Sequence, residues 1–206
     1  MQQWHSTISK KKNMENNEIN IKMVAVILAL IIAPVIVLIA FNQLNKPNSK
    51  LDALINKPAP QFSLQGRNGN TYMSESLKGK NVVLFFSEGL ACYPACWQQI
   101  ASFGTDARFN NADTVALSVV MDSPEDWQKT PQKMDGIDKA NIVFDNGGQV
   151  SRAFGMLSVT SSMRRGVSLG HTYVIINEEG VVKYVFDDPA MAVRNDKIFA
   201  ELVKLN

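Results

Sequence analysis

The chain has 206 residues, 46% of them hydrophobic and 19% charged, which excludes a disordered or collagen-like polypeptide because ample apolar surface is available for burial. That length accommodates one ordinary domain with an appendage rather than two full domains. Residues 1–22 carry four lysines and two glutamates, so the formal net charge of +2 resides entirely in the N-terminal tail. The remainder is neutral and lacks the basic excess that nucleic-acid binding requires.

Met23 to Phe41 (MVAVILALIIAPVIVLIAF) is an uncharged run of 19 residues. As a helix it spans roughly 28 Å, close to the hydrocarbon thickness of a bilayer, and Pro34 is tolerated better there than in a soluble helix. The run is longer than the apolar core of a secretory signal, no small-x-small cleavage site follows, and no cysteine follows to accept a lipid. The expectation is a retained single-pass transmembrane helix. The Lys10-Lys11-Lys12 cluster and Lys22 place the tail in the cytoplasm and the larger part of the chain outside it. Residues 42–57, polar and with one proline, read as a linker, and the folded domain is expected over 58–206.

Within that domain, Phe62-Ser63-Leu64 and Thr71-Tyr72, joined through a Gly/Asn-rich turn, predict a small hairpin. Ser74 to Leu77 fits one helical turn. Asn81 to Ser87 (NVVLFFS) is a continuous β-branched and aromatic run, the pattern of a strand covered on both faces. A helix follows, with Trp97, Ile100, Ala101 and Gly104 on one face. Thr114 to Val120 is a second buried strand, and Ser123-Pro124-Glu125-Asp126 opens a helix through a cap, a proline and an acidic first turn. A short strand over Asn141–Phe144 and a short helix over Gln149–Phe154 precede an irregular segment, 156–170. Tyr173–Ile176 and Val181–Phe186 form a hairpin about Asn177–Gly180, and Asp196 is expected to cap a last helix whose Ile198, Leu202 and Leu205 share a face. This alternation predicts an α/β sandwich with a mixed β-sheet.

The two cysteines, Cys92 and Cys96, fall where the first buried strand meets a helix. Unpaired N–H groups and the partial positive charge of a helix start favour thiolate over thiol there. Cys92, at or just before the first turn, reads as the nucleophile, exposed at the edge of the fold. Cys96 lies within disulfide range of it, and Pro94 suits a first turn. A static staple over so short a loop would stabilise little, and zinc lacks a fourth ligand. Tyr93 and Pro94 stand between the cysteines and bear on exposure and redox poise. Glu88 is a candidate proton acceptor. His171, the only histidine outside the tail, directly precedes a strand. Trp97 reads as core; Met156, Met163 and Met191 read as packing; Arg164-Arg165 reads as an anion contact or a solubilising pair.

The stretch PAPQFSLQGRNGNTYMSESLKGKNVVLFFSEGLACYPACWQQI resembles the first half of a redoxin, and HTYVIINEEGVVKYVF the later hairpin of the same group: the thioredoxin-like domains of the alkyl hydroperoxide reductase/thiol-specific antioxidant (peroxiredoxin-like) family. The resemblance covers roughly residues 58–206. It implies a thioredoxin-like three-layer sandwich, with the cysteines atop the first core helix and His171 near them, where it would raise thiolate character or donate a metal ligand. The peroxidatic pattern Pro-x-x-x-Thr/Ser-x-x-Cys is missing: Phe85 and Gly89 precede Cys92 at those positions, and Gly89 and Tyr93 precede Cys96. Three residues, rather than the two of ordinary thioredoxins, separate the cysteines. The combination of Cys92, Cys96 and His171 is also similar to the copper set of the membrane-anchored Sco chaperones. The expected activity is thiol–disulfide exchange with a protein partner, electrons coming from a membrane donor if the reaction is reductive. No cofactor and no nucleic acid are expected. Copper delivery through Cys92, Cys96 and His171 is the alternative, and a thiol peroxidase is the second alternative.

Overall fold

The computed structural model describes residues 51–129 and 134–205, together with Met23, Ile27, Leu28 and 30–34. The predicted membrane span therefore lies mostly outside the described residues. Among those described, no helix is long and apolar enough to cross a membrane. The chain divides into two units, Met1–Pro47 and Asn48–Asn206, and the second holds the seven strands found among the described residues.

Those strands are β1 (Ser63–Gly66), β2 (Thr71–Met73), β3 (Asn81–Ser87), β4 (Thr114–Val120), β5 (Ile142–Phe144), β6 (His171–Ile176) and β7 (Val182–Asp187). They form one mixed sheet in the order β2-β1-β5-β4-β3-β6-β7. The central β3 runs parallel to β4 and antiparallel to β6, so both its edges are paired, and all seven of its residues are buried as the apolar run predicts. Its side chains alternate between faces in the two-residue period of a strand. Val83 and Phe85 enter a core with Trp97, Ile100, Phe103, Trp127, Ile198 and Leu202. Val82, Leu84 and Phe86 enter an opposite core with Phe62, Leu64, Val150 and Phe154.

The helices that close these cores are α1 (Ala95–Thr105), α2 (Pro124–Lys129), α3 (Gln149–Ala153) and α4 (Asn195–Leu202). Helices α1, α2 and α4 contribute to the first core and α3 to the second, which gives the predicted three layers. Gly104 on α1 allows a close backbone crossing: a Cβ there would stand 2.3 Å from the Gly136 carbonyl oxygen and 2.7 Å from the Ala140 nitrogen. The Ser123 cap forms as expected, its hydroxyl oxygen accepting the Asp126 N–H at 3.1 Å.

Three expectations need correction. Asp196 does not cap α4; Arg194 occupies that position, and Asp196 in the exposed first turn pairs with Arg108 at 2.9 Å. Strand β6 begins at His171, two residues earlier than the run Tyr173–Ile176 suggests, because Ser87 of β3 supplies a partner in register. Residues 51–57, read as the end of the linker, belong to the folded unit: Asp52–Leu54 form a helical turn, and the Asn56 N–H donates to Val182 at 2.8 Å while the Lys57 carbonyl accepts from Val182 at 2.9 Å.

Candidate active site

Strand β3 delivers the chain to Ser87 and Glu88, and a single 3-10 turn over Gly89–Cys92 leads into α1. Gly89 has a φ of +61°, and a Cβ there would lie 1.8 Å from Oδ2 of Asp122. The position therefore needs glycine for both its backbone angle and its clearance. Asp122 ties this turn to the body: its Oδ2 accepts the Leu90 N–H and the Trp127 indole N–H, each at 3.1 Å. Burial pushes the Asp122 carboxyl up in pKa, against the lowering effect of those two donors. The Trp97 indole donates to the Gly89 carbonyl at 3.2 Å, so both polar atoms of the Gly89–Leu90 peptide, at the start of the turn, are held.

Cys92 and Cys96 are joined as a disulfide with their Cα atoms 5.3 Å apart. The pair does not lie on one helix, as the spacing suggests; Cys92 ends the 3-10 turn and Cys96 is the second residue of α1. The expected exposure of the sulfurs also needs correction. Cys96 is fully buried and Cys92 retains 5% of its surface. The cover comes from Met191, whose Sδ lies 4.0 Å from the Cys92 sulfur. Met191 adopts a left-handed φ of +48°, rare for an unbranched L residue, in a loop that Asp188 holds shut. The Asp188 side chain, 3% exposed, takes Arg194 Nε at 2.7 Å and the N–H groups of Ala190 and Ala192. Burial would raise the Asp188 pKa, but Arg194 and these amides together hold it below the usual carboxylate value.

His171 faces the pair, as the resemblance implies. It opens β6 directly opposite Ser87, is fully buried, and its Nδ1 lies 3.6 Å from the Cys96 sulfur. Its ring stands edge-on to Phe85 at 4.6 Å. Its backbone N–H donates to the Ser161 hydroxyl at 2.7 Å, and Ser161 is held in turn by Asp187 through its own N–H and hydroxyl. On the other side of the ring, Nε2 lies 2.9 Å from the Tyr173 hydroxyl and 3.3 Å from the Ala192 carbonyl oxygen. Burial pushes the His171 pKa down to about 4, although Asp188 and the Ala192 carbonyl act in the opposite sense. The ring is neutral at physiological pH.

The remaining sequence candidates separate clearly. Tyr93 is 55% exposed and sets its ring edge-on against Trp97 at 5.3 Å; Pro94 is exposed beside it. Trp97 is core, stacked on Trp127 at 5.4 Å. Glu88 is not placed as a proton acceptor for the cysteines: its Oε1 accepts the Met163 N–H at 2.9 Å and the Ser168 hydroxyl at 3.0 Å, which anchors the irregular segment to the end of β3. Met156 is buried packing, but Met163 is 66% exposed and Met191 covers Cys92, so packing describes only the first of the three. Arg164 and Arg165 are exposed. Gln99, Tyr173, Asp122 and the Asp188–Arg194 pair were not singled out by sequence reasoning. A glutamine on the buried face of an amphipathic helix and an acid directly after a buried strand are the signals that point to the first and third.

One donor atom each from Cys92, Cys96 and His171 all lie within 4.8 Å of one another. Two sulfurs and an imidazole nitrogen are a donor set of the kind that suits Cu(I), provided the disulfide is reduced. The same three groups also set an imidazole nitrogen beside a cysteine pair, the arrangement of a dithiol with an adjacent base.

The family model described as the AhpC/TSA family matches residues 55–185. No curated protein matches the sequence. Among solved structures, the mitochondrial 2-Cys peroxiredoxin of Plasmodium falciparum superposes with a TM-score of 0.61 at 21% identity, over 73% of this chain and 93% of that one. The exposed lipoprotein thioredoxin of Streptococcus pneumoniae gives 0.56 at 23% identity, over 71% and 100%. A putative protein disulfide isomerase of Bacteroides thetaiotaomicron gives 0.51 at 17% identity, over 73% and 89%. The fold these structures share with the chain is thioredoxin-like.

Proposed function

The chain belongs to the AhpC/TSA family, and from that premise we propose that it is a membrane-anchored thiol–disulfide oxidoreductase acting through Cys92 and Cys96. The observation that carries this reading is the joining of its only two cysteines at a strand–helix junction, with an imidazole nitrogen 3.6 Å from the inner sulfur. In the reduced state the Cys92 thiolate attacks one sulfur of a partner disulfide, and the other partner sulfur leaves as a thiol. Cys96 then attacks Cys92, the bond between Cys92 and the partner breaks, and the protein disulfide forms. Two electrons pass from the protein dithiol to the partner disulfide; the reverse sequence oxidises a partner dithiol. Met23–Phe41 anchors the chain with its tail in the cytoplasm and the redoxin domain outside, where a reducing role would draw electrons from a membrane donor. The reaction needs no cofactor.

Copper delivery is the second reading, favoured by the close approach of the three soft donors. A peroxidase is less well supported, because neither cysteine follows the peroxidatic pattern. The reduced full chain in detergent micelles separates these when it meets, in parallel, a protein disulfide, hydrogen peroxide and Cu(I). The oxidoreductase reading expects the partner disulfide to disappear as Cys92–Cys96 appears in equal amount, with peroxide consumed no faster than by a free thiol. Rapid peroxide loss with sulfenic acid on Cys92 would replace it with the peroxidase. Inertness toward disulfides, with tight one-to-one Cu(I) binding lost in His171→Ala, would replace it with copper delivery.

A further inference from the structure

Behind His171 runs a buried chain of hydrogen bonds whose direction is fixed at its far end. Asp106 is a carboxylate, held down to about 2 by the Arg108 guanidinium, and it can only accept. The Asn195 amide nitrogen donates to it at 2.9 Å and to the Ser102 carbonyl at 3.3 Å, so the Asn195 oxygen faces the other way, toward Gln99. That oxygen accepts from Gln99 Nε2 at 2.8 Å. The Gln99 oxygen is then the acceptor of its amide, which the Arg194 backbone N–H, donating to it at 2.7 Å, independently requires. Gln99 is fully buried on α1, and each of its polar atoms has a partner within the fold.

The Tyr173 hydroxyl lies 2.8 Å from this same Gln99 oxygen. A phenol has one proton to give, and it is spent there. Toward His171 the Tyr173 oxygen can only accept. The second neighbour of His171 Nε2, the Ala192 carbonyl at 3.3 Å, is also an acceptor. Nε2 thus faces two acceptors and must carry the proton. A neutral imidazole has one N–H, so Nδ1 is a bare lone pair, and the atom before it is the Cys96 sulfur at 3.6 Å.

We propose that Gln99 and Tyr173 are positioning residues that lock His171 in the Nε2–H tautomer, so that its bare Nδ1 accepts the Cys96 proton as Cys96 closes the disulfide. The proposal rests on the exchange reading above and assigns the base to the inner cysteine, not to Cys92. In the mixed disulfide, Cys96 gives its proton to Nδ1 and its electron pair to the Cys92 sulfur. The Cys92–Cys96 bond forms, the bond from Cys92 to the partner sulfur breaks, and the departing thiolate takes up the proton from the imidazolium. The ring returns to its neutral form with the tautomer unchanged, because nothing behind it has moved.

Ellman's reagent, 5,5′-dithiobis(2-nitrobenzoate), separates the two steps on the reduced full chain in micelles. Attack by Cys92 releases a first nitrothiobenzoate and closure by Cys96 a second. Gln99→Met removes the nearest acceptor; of the two that remain to the Tyr173 proton, Nε2 at 2.9 Å is nearer than the Ala192 carbonyl at 3.4 Å, so the ring is driven toward the Nδ1–H tautomer. The expected result is a second release slowed about tenfold or more with the first unchanged, and restoration of the second by Gln99→Glu, which keeps an accepting oxygen. Equal rates for both releases in Gln99→Met would overturn the proposal. The tautomer itself is read on the wild type: the chain has two histidines, so long-range proton–nitrogen correlation of the histidine-labelled protein resolves His171, assigned by its loss in His171→Gln. The Nε2–H pattern is expected, and an Nδ1–H pattern overturns the proposal even if Gln99→Met fails to fold. Two normal releases with the wrong tautomer would sink this inference alone; the absence of any second release in the wild type would sink the exchange reading beneath it.

Discussion

Cys92→Ser abolishes exchange with protein disulfides, a loss of about a thousandfold or more, whereas Cys96→Ser retains the first attack and halts with the partner bound to Cys92. The asymmetry follows from burial. Cys96 is fully enclosed beneath His171, and Cys92 keeps the pair's only 5% of exposed surface. Around Cys92 the neighbours Ala91, Tyr93 and Pro94 are exposed, so a partner sulfur reaches Cys92 first, once the Met191 side chain gives way. Intact-mass measurement after brief mixing with a small disulfide-bonded protein checks this: the adduct forms in Cys96→Ser and not in Cys92→Ser. An adduct carried by Cys96 in Cys92→Ser would reverse the roles.

Trp127→Ala destabilises the domain by about 3–5 kcal/mol, read as a lower denaturation midpoint. Trp127 is fully buried and joins α2 to α1 by stacking on Trp97. Its removal opens a large apolar cavity and also strips the indole N–H from Asp122. Trp127→Phe keeps most of the packing and loses the donor, so its cost falls to about 1–3 kcal/mol, the scale of one buried hydrogen bond lost. Asp122 would then keep its own backbone N–H and the Leu90 N–H. The turn carrying Cys92 is tethered through that contact, so the phenylalanine variant is also expected to weaken the positioning of the cysteine.

The elements were largely legible because they rest on short-range pattern. The run Asn81–Ser87, the hairpin turns and the Ser123 cap each carry their signal within a few residues, and each forms where expected. The cysteine pair was legible for the same reason: residues 92 and 96 are close in the chain and sit at a recognisable junction. The contacts that complete the site join distant segments, and no local pattern encodes them. Met191, which covers Cys92, is 99 residues away along the chain, and it reaches the sulfur only because Asp188 and Arg194 clamp its loop. Glu88 looked free to serve the cysteines because Met163 and Ser168, its actual donors, are more than seventy residues downstream. Gln99 acquires its role only where Tyr173, Arg194 and Asn195 meet around it. Proximity of His171 to the cysteines came from the family resemblance; its partners on the far side of the ring came only from the folded chain.

The most direct measurement is the redox equilibrium of the full chain in glutathione buffers, with the Cys92–Cys96 bond followed by thiol labelling and intact mass. A cycling pair interconverts as a single two-electron couple with a potential above about −300 mV, reversibly and without loss of fold. A bond that stays closed at every glutathione ratio, opening only as the domain unfolds, would make it a static staple and contradict the account.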